Sequence, residues 1–182
     1  MYSYLKDLGG FMGYKIGEKV IYPNQGVGVI EEISTKQIAG SQEEFYMLRI
    51  MSNNSTVMIP TANVDNVGIR RLCSQKQLKA LFQILEIDDD DHDPDWKNRY
   101  KTNVERMNSG SIFEVAKVLK NLFFLSFQKS LSFREKKMFD RAHQLVVSEI
   151  ATVRNESLND VKELVDTLLT GTYEKVKAQT AS

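Results

Sequence analysis

The chain has 182 residues, of which 42% are hydrophobic and 26% charged, and its 24 basic and 24 acidic residues give a formal net charge of zero. This composition is typical of a globular protein, and no apolar run reaches the roughly 20 residues of a membrane span. The single cysteine, Cys73, excludes an internal disulfide and a multi-cysteine zinc site, and the two histidines, His92 and His143, share no metal-ligand spacing with it. The first residues lack the basic and apolar regions of a signal peptide. We therefore expect a cytoplasmic protein that is not an enzyme and has no catalytic residues, metal or cofactor.

The amino-terminal part has the pattern of a small β domain. Residues 1–12 are expected to be a flexible leader, and residues 13–71 contain short apolar runs separated by turn signals such as Pro23–Gly26 and Asn53–Asn54. The predicted strands are Val20–Tyr22, Val27–Ile33, Phe45–Ile50, Thr56–Ile59 and Val67–Arg70. Five short strands without a helical period predict a small barrel, which is better suited to binding than to catalysis.

The apolar period becomes helical after residue 71, which predicts a compact all-α domain over residues 72–169. Three pairs of the form Ser-x-x-Glu/Gln predict helix starts with capping boxes, and Asp93 with Pro94 predicts a further start. A last helix is expected to begin at Ser157 or Asn159, and residues 170–182 are expected to be a frayed tail. The predicted capping boxes are Ser74 with Gln77, Ser111 with Glu114, and Ser132 with Glu135. The fold class predicted is therefore α+β, with two domains and about five helices in the second.

The net charge of zero conceals an uneven distribution of charge along the chain. Residues 86–95 contain seven acidic residues and no lysine or arginine, whereas residues 96–141 contain eleven basic and four acidic residues. Clustered cations bind nucleic acid because they release counterions from the phosphate backbone. Charges that alternate on solvated helical faces would explain the same pattern, so charge alone leaves both interpretations open.

Six blocks of the sequence carry a resemblance to a known family. They are Tyr14–Gly28, Ile59–Pro60, Val67–Arg70, Trp96–Lys101, Asn108–Gly110 and Leu131–Met138. In this order and spacing they resemble the CarD/CdnL family of bacterial transcription regulators. The resemblance implies that the amino-terminal domain is a Tudor-like five-stranded barrel that binds the β subunit of RNA polymerase. The arginines by which the family meets polymerase correspond here to Lys36 and Met58.

The resemblance also implies that the helical domain contacts promoter DNA at the upstream edge of the melted bubble and stabilises the open complex. By position, Trp96 takes the role of a wedge in the minor groove, and Arg99, Lys101 and Lys136 contact phosphates. Local charge adds two further candidates, Lys97 and Lys137. Contacts of this kind are weak and largely independent of sequence.

Trp96 has a second interpretation, because it aligns with Tyr100, Val104 and Met107 at helical spacing. This pattern alone favours a buried face, whereas the resemblance favours the wedge. The complete prediction is a monomeric regulator that binds RNA polymerase and promoter DNA, without a membrane or small-molecule partner, and that associates with the nucleoid through polymerase. The alternative is an adaptor on polymerase that makes no DNA contact and uses the aromatic residues at 123–127 to bind another protein.

Overall fold

The computed structural model describes residues 13–87 and 96–180. The predicted leader, the acidic segment at 88–95 and the predicted helix cap at Asp93 and Pro94 lie outside these residues. The described chain has two separate hydrophobic cores, one under a sheet and one among helices, which confirms the two-domain α+β prediction. The elements are β1 (Lys19–Tyr22), β2 (Gly26–Ile38), β3 (Ser41–Ile50), β4 (Thr56–Pro60), α1 (Val64–Val67), β5 (Arg70–Arg71), α2 (Gln75–Glu86), α3 (Trp96–Asn108), α4 (Ile112–Gln128), α5 (Phe133–Arg154) and α6 (Leu158–Thr180).

The five strands form one antiparallel sheet in the order β4-β3-β2-β1-β5. Within the described residues no ladder joins β4 to β5, so the sheet is open and the predicted closure into a barrel is not found. The physical reason lies in the predicted fifth strand, Val67–Arg70. Val67 instead belongs to α1, which ends at Gly68 in the left-handed conformation (φ 77°), and only Arg70–Arg71 pair with β1.

The hairpin of β2 and β3 is longer than the sequence predicts. Its pairing extends to Ile38 and Ser41, and the two turn residues, Ala39 and Gly40, have φ values of 50° and 87°. Positive φ at both central residues is the geometry of a type I′ turn, which matches the twist of antiparallel strands. Most side chains beyond Ser34 are exposed, so their polar character hid this part of the hairpin from an analysis based on apolar runs.

Two of the three predicted capping boxes are confirmed. Ser74 with Gln77 begins α2 and Ser132 with Glu135 begins α5, each with both reciprocal hydrogen bonds. The third prediction is wrong in part, because Ser111 occupies the N-cap of α4 but its side chain makes no capping bond. Glu114 binds Lys117 at 2.7 Å instead, and that ion pair competes with the reach of Glu114 back to the cap.

The expected frayed tail is the last part of α6, which continues to Thr180. Tyr173 stacks on Phe127 with ring centroids 4.2 Å apart and meets Phe124 edge-on at 5.4 Å. Thr172 is buried as well, so the end of the helix has tertiary contacts that the sequence pattern did not reveal. The same contacts explain part of the cluster at 123–127, since Phe124 and Leu125 are core residues, whereas Phe127 stacks on Tyr173 of α6 and remains 53% exposed.

Candidate nucleic-acid interface

The predicted basic residues come from the first turns of two helices. Lys97 and Lys101 lie one turn apart at the start of α3, and both are exposed. Lys136 and Lys137 lie in the first turns of α5 and are exposed as well. The first turn of a helix has unpaired backbone N–H groups and the positive end of the helix dipole, so it favours anions such as phosphate. The backbone of α3 begins at Trp96, whose side chain lies outside the described residues.

Arg99 joins the two helix starts. Its side chain is only 4% exposed, and its Nη2 lies 3.3 Å from Oε1 of Glu135 on α5. The structure therefore differs from the expectation that Arg99 contacts phosphate, because the guanidinium faces the protein interior. In this arrangement the ion pair connects α3 with α5.

The buried line of α3 differs from the one that the apolar residues indicate. Arg99, Asn103 and Met107, four residues apart, are 4%, 2% and 7% exposed, whereas Tyr100 and Val104 are half-buried. Among the described side chains of α3, two of the three most buried are thus polar. The apolar residues therefore predict a buried face that includes Tyr100 and Val104, whereas the buried side chains are those one residue earlier, Arg99 and Asn103.

Glu135 is both a capping residue and the partner of Arg99. Burial alone would raise the pKa of its carboxyl, but hydrogen bonds from Ser132 and the adjacent Arg99 guanidinium outweigh burial, so the pKa lies below its ordinary value. The Ser132 backbone N–H donates to Oε2 at 2.9 Å, while Oε1 faces Arg99. One carboxylate therefore fixes the start of α5 and its contact with α3.

Phe133 is a candidate residue that the sequence analysis missed. It is 71% exposed at the first position of α5, and Nζ of Lys137 lies 4.7 Å from its ring centroid. The buried face of α5 contains Met138, Ala142 and Leu145, and helical spacing extends it back to positions 134 and 135. Phe133 lies outside this face, so the sequence could have indicated that its side chain is exposed. An exposed aromatic beside cations suits base stacking.

Lys36 and Met58 lie on the sheet domain, apart from the basic helix starts. Lys36 pairs with Glu43 across β2 and β3, and Met58 pairs with Met47 across β3 and β4. Positions 43 and 47 on β3 share a face of the sheet, so Lys36 and Met58 share it too, roughly 14 Å apart along the strand. Both side chains are exposed, Met58 to 43%.

Metal binding, thiol catalysis and membrane insertion have little support in the described part of the chain. Across residues 13–87 and 96–180 no group of three or more His, Cys, Asp or Glu side chains could hold a metal ion. Burial raises the pKa of the Cys73 thiol to about 11, so it stays protonated and is a poor nucleophile. None of the described helices is long and apolar enough to cross a membrane.

Two family models and one relative match most of the chain. The family model of the CarD-like/TRCF RID domain matches residues 14–73, and that of the CarD C-terminal domain matches residues 80–166. The putative transcription factor YdeB of Bacillus subtilis is 32% identical over 149 residues, which cover 82% of this chain and 97% of YdeB. These matches define a transcription-associated regulator that interacts with RNA polymerase, a class that is typically non-enzymatic. The chain belongs to the CarD/CdnL family.

Two solved structures from Myxococcus xanthus are similar to the amino-terminal part. The CdnLNt structure is 39% identical, with a TM-score of 0.31, and the match covers 36% of this chain and 93% of that one. The solution NMR structure of the 72-residue N-terminal domain of CarD is 32% identical, with a TM-score of 0.29, and the match covers 34% of this chain and 83% of that one.

Proposed function

We propose that this protein stabilises the melted promoter complex of RNA polymerase. In this proposal the sheet domain binds the β subunit, and the starts of α3 and α5 hold promoter DNA at the upstream edge of the bubble, where Trp96 acts as a wedge. The observation that carries the proposal is the pairing of Arg99 with Glu135, which brings the two basic helix starts together. Exposed cations beside an aromatic at one place on the surface suit a DNA backbone next to unstacked bases.

The DNA contacts proposed are Trp96 and four exposed lysines, together with the exposed aromatic Phe133. The lysines are Lys97, Lys101, Lys136 and Lys137. Lysine contacts to phosphate carry no base information, so the binding has little sequence preference. Unstacking a base step costs a few kcal/mol, and flanking phosphate contacts offset that cost.

The polymerase contact proposed lies on the sheet face that bears Lys36 and Met58. Methionine offers an adaptable apolar contact, and lysine adds a charge on a flexible side chain. Binding through this face raises the effective concentration of the helical domain near DNA, so the DNA contact itself can be weak. The β subunit as the partner follows from the family and not from a contact in the structure.

The experiment is the lifetime of the open complex on a promoter with the cognate polymerase. We expect the wild-type protein to lengthen the lifetime and Trp96→Ala to shorten it about fivefold or more, since base stacking contributes about 1–3 kcal/mol. Thermal unfolding and affinity for the β subunit are measured on the same variant, because a grossly unfolded Trp96→Ala would instead make Trp96 a core residue.

A charge series separates phosphate contacts from a general effect of charge. We expect the double variant Lys97→Gln with Lys136→Gln to reduce the steepness with which log affinity for DNA falls against log salt concentration. The expected reduction is about two, because each of the two lost phosphate contacts contributes about 0.9. The matched control is Lys162→Gln with Lys175→Gln, because both lysines are exposed on α6. An unchanged lifetime with wild-type protein that is bound to polymerase would leave the adaptor as the function.

A further inference from the structure

Within the described residues, two groups of polar contacts join the sheet domain to α5, and both lie outside the proposed DNA and polymerase surfaces. The first is a pair of parallel bonds from Arg70 on β5 to Glu149, with Nη1–Oε1 at 2.7 Å and Nη2–Oε2 at 2.8 Å. Nε of Arg70 donates to the Gly110 carbonyl at 2.7 Å. Glu149 is 1% exposed, and its Oε1 also accepts a hydrogen bond from the backbone N–H of Cys73 at 2.9 Å. This one carboxylate therefore connects the last strand, the segment between the domains and α5.

The second contact lies two turns earlier on α5. Nε of Arg141 donates to the carbonyl of Asn24 in the turn between β1 and β2 at 2.9 Å. The side-chain amide of Asn24 donates to Asn108 at the end of α3 at 2.6 Å. Between the two contacts Gly26 approaches α5 so closely that a Cβ there would lie 3.2 Å from Leu145. The eight residues from Arg141 to Glu149 span about 12 Å of helix, so the sheet domain is held at two separated points.

Two contacts of this kind fix the orientation of the sheet domain relative to α5. Domains of one chain move relative to each other by default unless a substantial interface prevents it. A planar guanidinium that binds a buried carboxylate at both oxygens allows one geometry, and a second attachment along the same rigid helix removes rotation about the first.

We infer that Arg70, Glu149, Arg141 and Asn24 are positioning residues that fix the sheet domain relative to the basic starts of α3 and α5. This inference rests on the proposed function. Binding of the sheet domain to polymerase then delivers the helical domain to DNA at one distance and angle. If the junction is loosened, the effective concentration of the helical domain at the DNA falls, while each binding surface is unchanged.

The first test measures the orientation in the free, full-length protein. Spin labels are attached at Gln42→Cys in the hairpin and Glu174→Cys in α6, two exposed positions in different domains. The buried Cys73 thiol reacts slowly in comparison. We expect a narrow distance distribution for the otherwise wild-type junction and a width at least twofold larger for Glu149→Gln with Arg141→Gln. An equally narrow distribution in that double variant would overturn the inference.

The matched control is Glu156→Gln with Arg154→Gln. It removes the same types of charge from an ion pair at 2.8 Å between the last residue of α5 and the turn that follows it. Both partners lie in the helical domain, so the distribution should stay narrow. Broadening in this control to the same extent would assign the effect to α5 itself and would also overturn the inference.

The second test measures function. In the double junction variant we expect the open-complex lifetime to fall at least fivefold toward its value without the protein, while affinity for the β subunit stays within twofold of wild type. A lifetime equal to that of wild type would overturn the positioning role. If wild-type protein does not lengthen the lifetime, the proposed function fails, and the distance measurement still decides whether these residues set the orientation.

Discussion

Replacing Glu135 by glutamine tests whether Arg99 holds α3 against α5 or contacts DNA. The substitution keeps the capping box, because a glutamine side chain at this helix position also accepts from the Ser132 backbone N–H. It removes the negative charge that lies 3.3 Å from the Arg99 guanidinium. The variant therefore isolates the ion pair from the helix cap.

The expected loss is large because both partners are buried. The side chains of Arg99 and Glu135 are 4% and 11% exposed. Removing one partner of such a pair costs about 3–5 kcal/mol, and the hydrogen bond that glutamine retains returns about 1 kcal/mol. A net loss of about 3 kcal/mol lowers the Tm of a chain of this size by about 6–12 °C.

The assay is thermal unfolding followed by circular dichroism, combined with the open-complex lifetime below the Tm. If Arg99 is a structural contact, Glu135→Gln lowers the Tm and shortens the lifetime, because α3 and α5 separate. The control is Glu114→Gln at the third position of α4, where the carboxylate pairs with Lys117 at 2.7 Å and with Arg106 at 3.4 Å. Both pairs are partly exposed, so each contributes at most about 1 kcal/mol. A Tm within about 1 °C of wild type together with a longer lifetime would refute the reasoning, since it would mean that Arg99 is released to bind phosphate.

Two further predictions concern acid stability and the end of α6. Because the pKa of folded Glu135 lies below the ordinary glutamate value of 4.5, its contribution to stability is complete above about pH 4.5 and is lost as the pH falls through the folded pKa. The difference in unfolding free energy between wild type and Glu135→Gln should therefore shrink in urea titrations as the pH falls below about 4.5, and a constant difference would contradict this. Tyr173→Ala removes the stack on Phe127 and should cost about 2 kcal/mol, with faster hydrogen exchange after Leu169 and an unchanged open-complex lifetime. Unchanged exchange would show that the stack does not hold the helix end.

Much of the fold was predictable because local signals determine where elements begin and end. The serine caps at Ser74 and Ser132 and the helix stop near Gly110 depend on backbone groups within a few residues, and the structure has all three. The open edge of the sheet was not predictable in this way. It depends on α1 including Val67, the first residue of the predicted strand, and on the burial of Val64 of the same helix in the sheet-domain core.

The site was predictable in part, for a related reason. The lysines at 97, 101, 136 and 137 are exposed, as residues at the polar face of a helix start usually are. Arg99 has the same charge and lies in the same segment, yet it is buried because Glu135 is present on a helix that begins 25 residues after α3 ends. No local pattern contains that partner.

The sequence by itself determined the two-domain layout, the helix starts, the family and the segment that bears the basic residues, because these follow from periodicity, capping and ordered motifs along the chain. Only the tertiary structure decided which cation is buried, which aromatic is exposed and how the sheet domain is attached to α5. Those properties depend on pairs distant in the chain, such as Arg70 with Glu149 and Arg99 with Glu135. Burial makes each such pair important for stability, because a charge removed from water is costly in free energy unless its partner lies at a specific place.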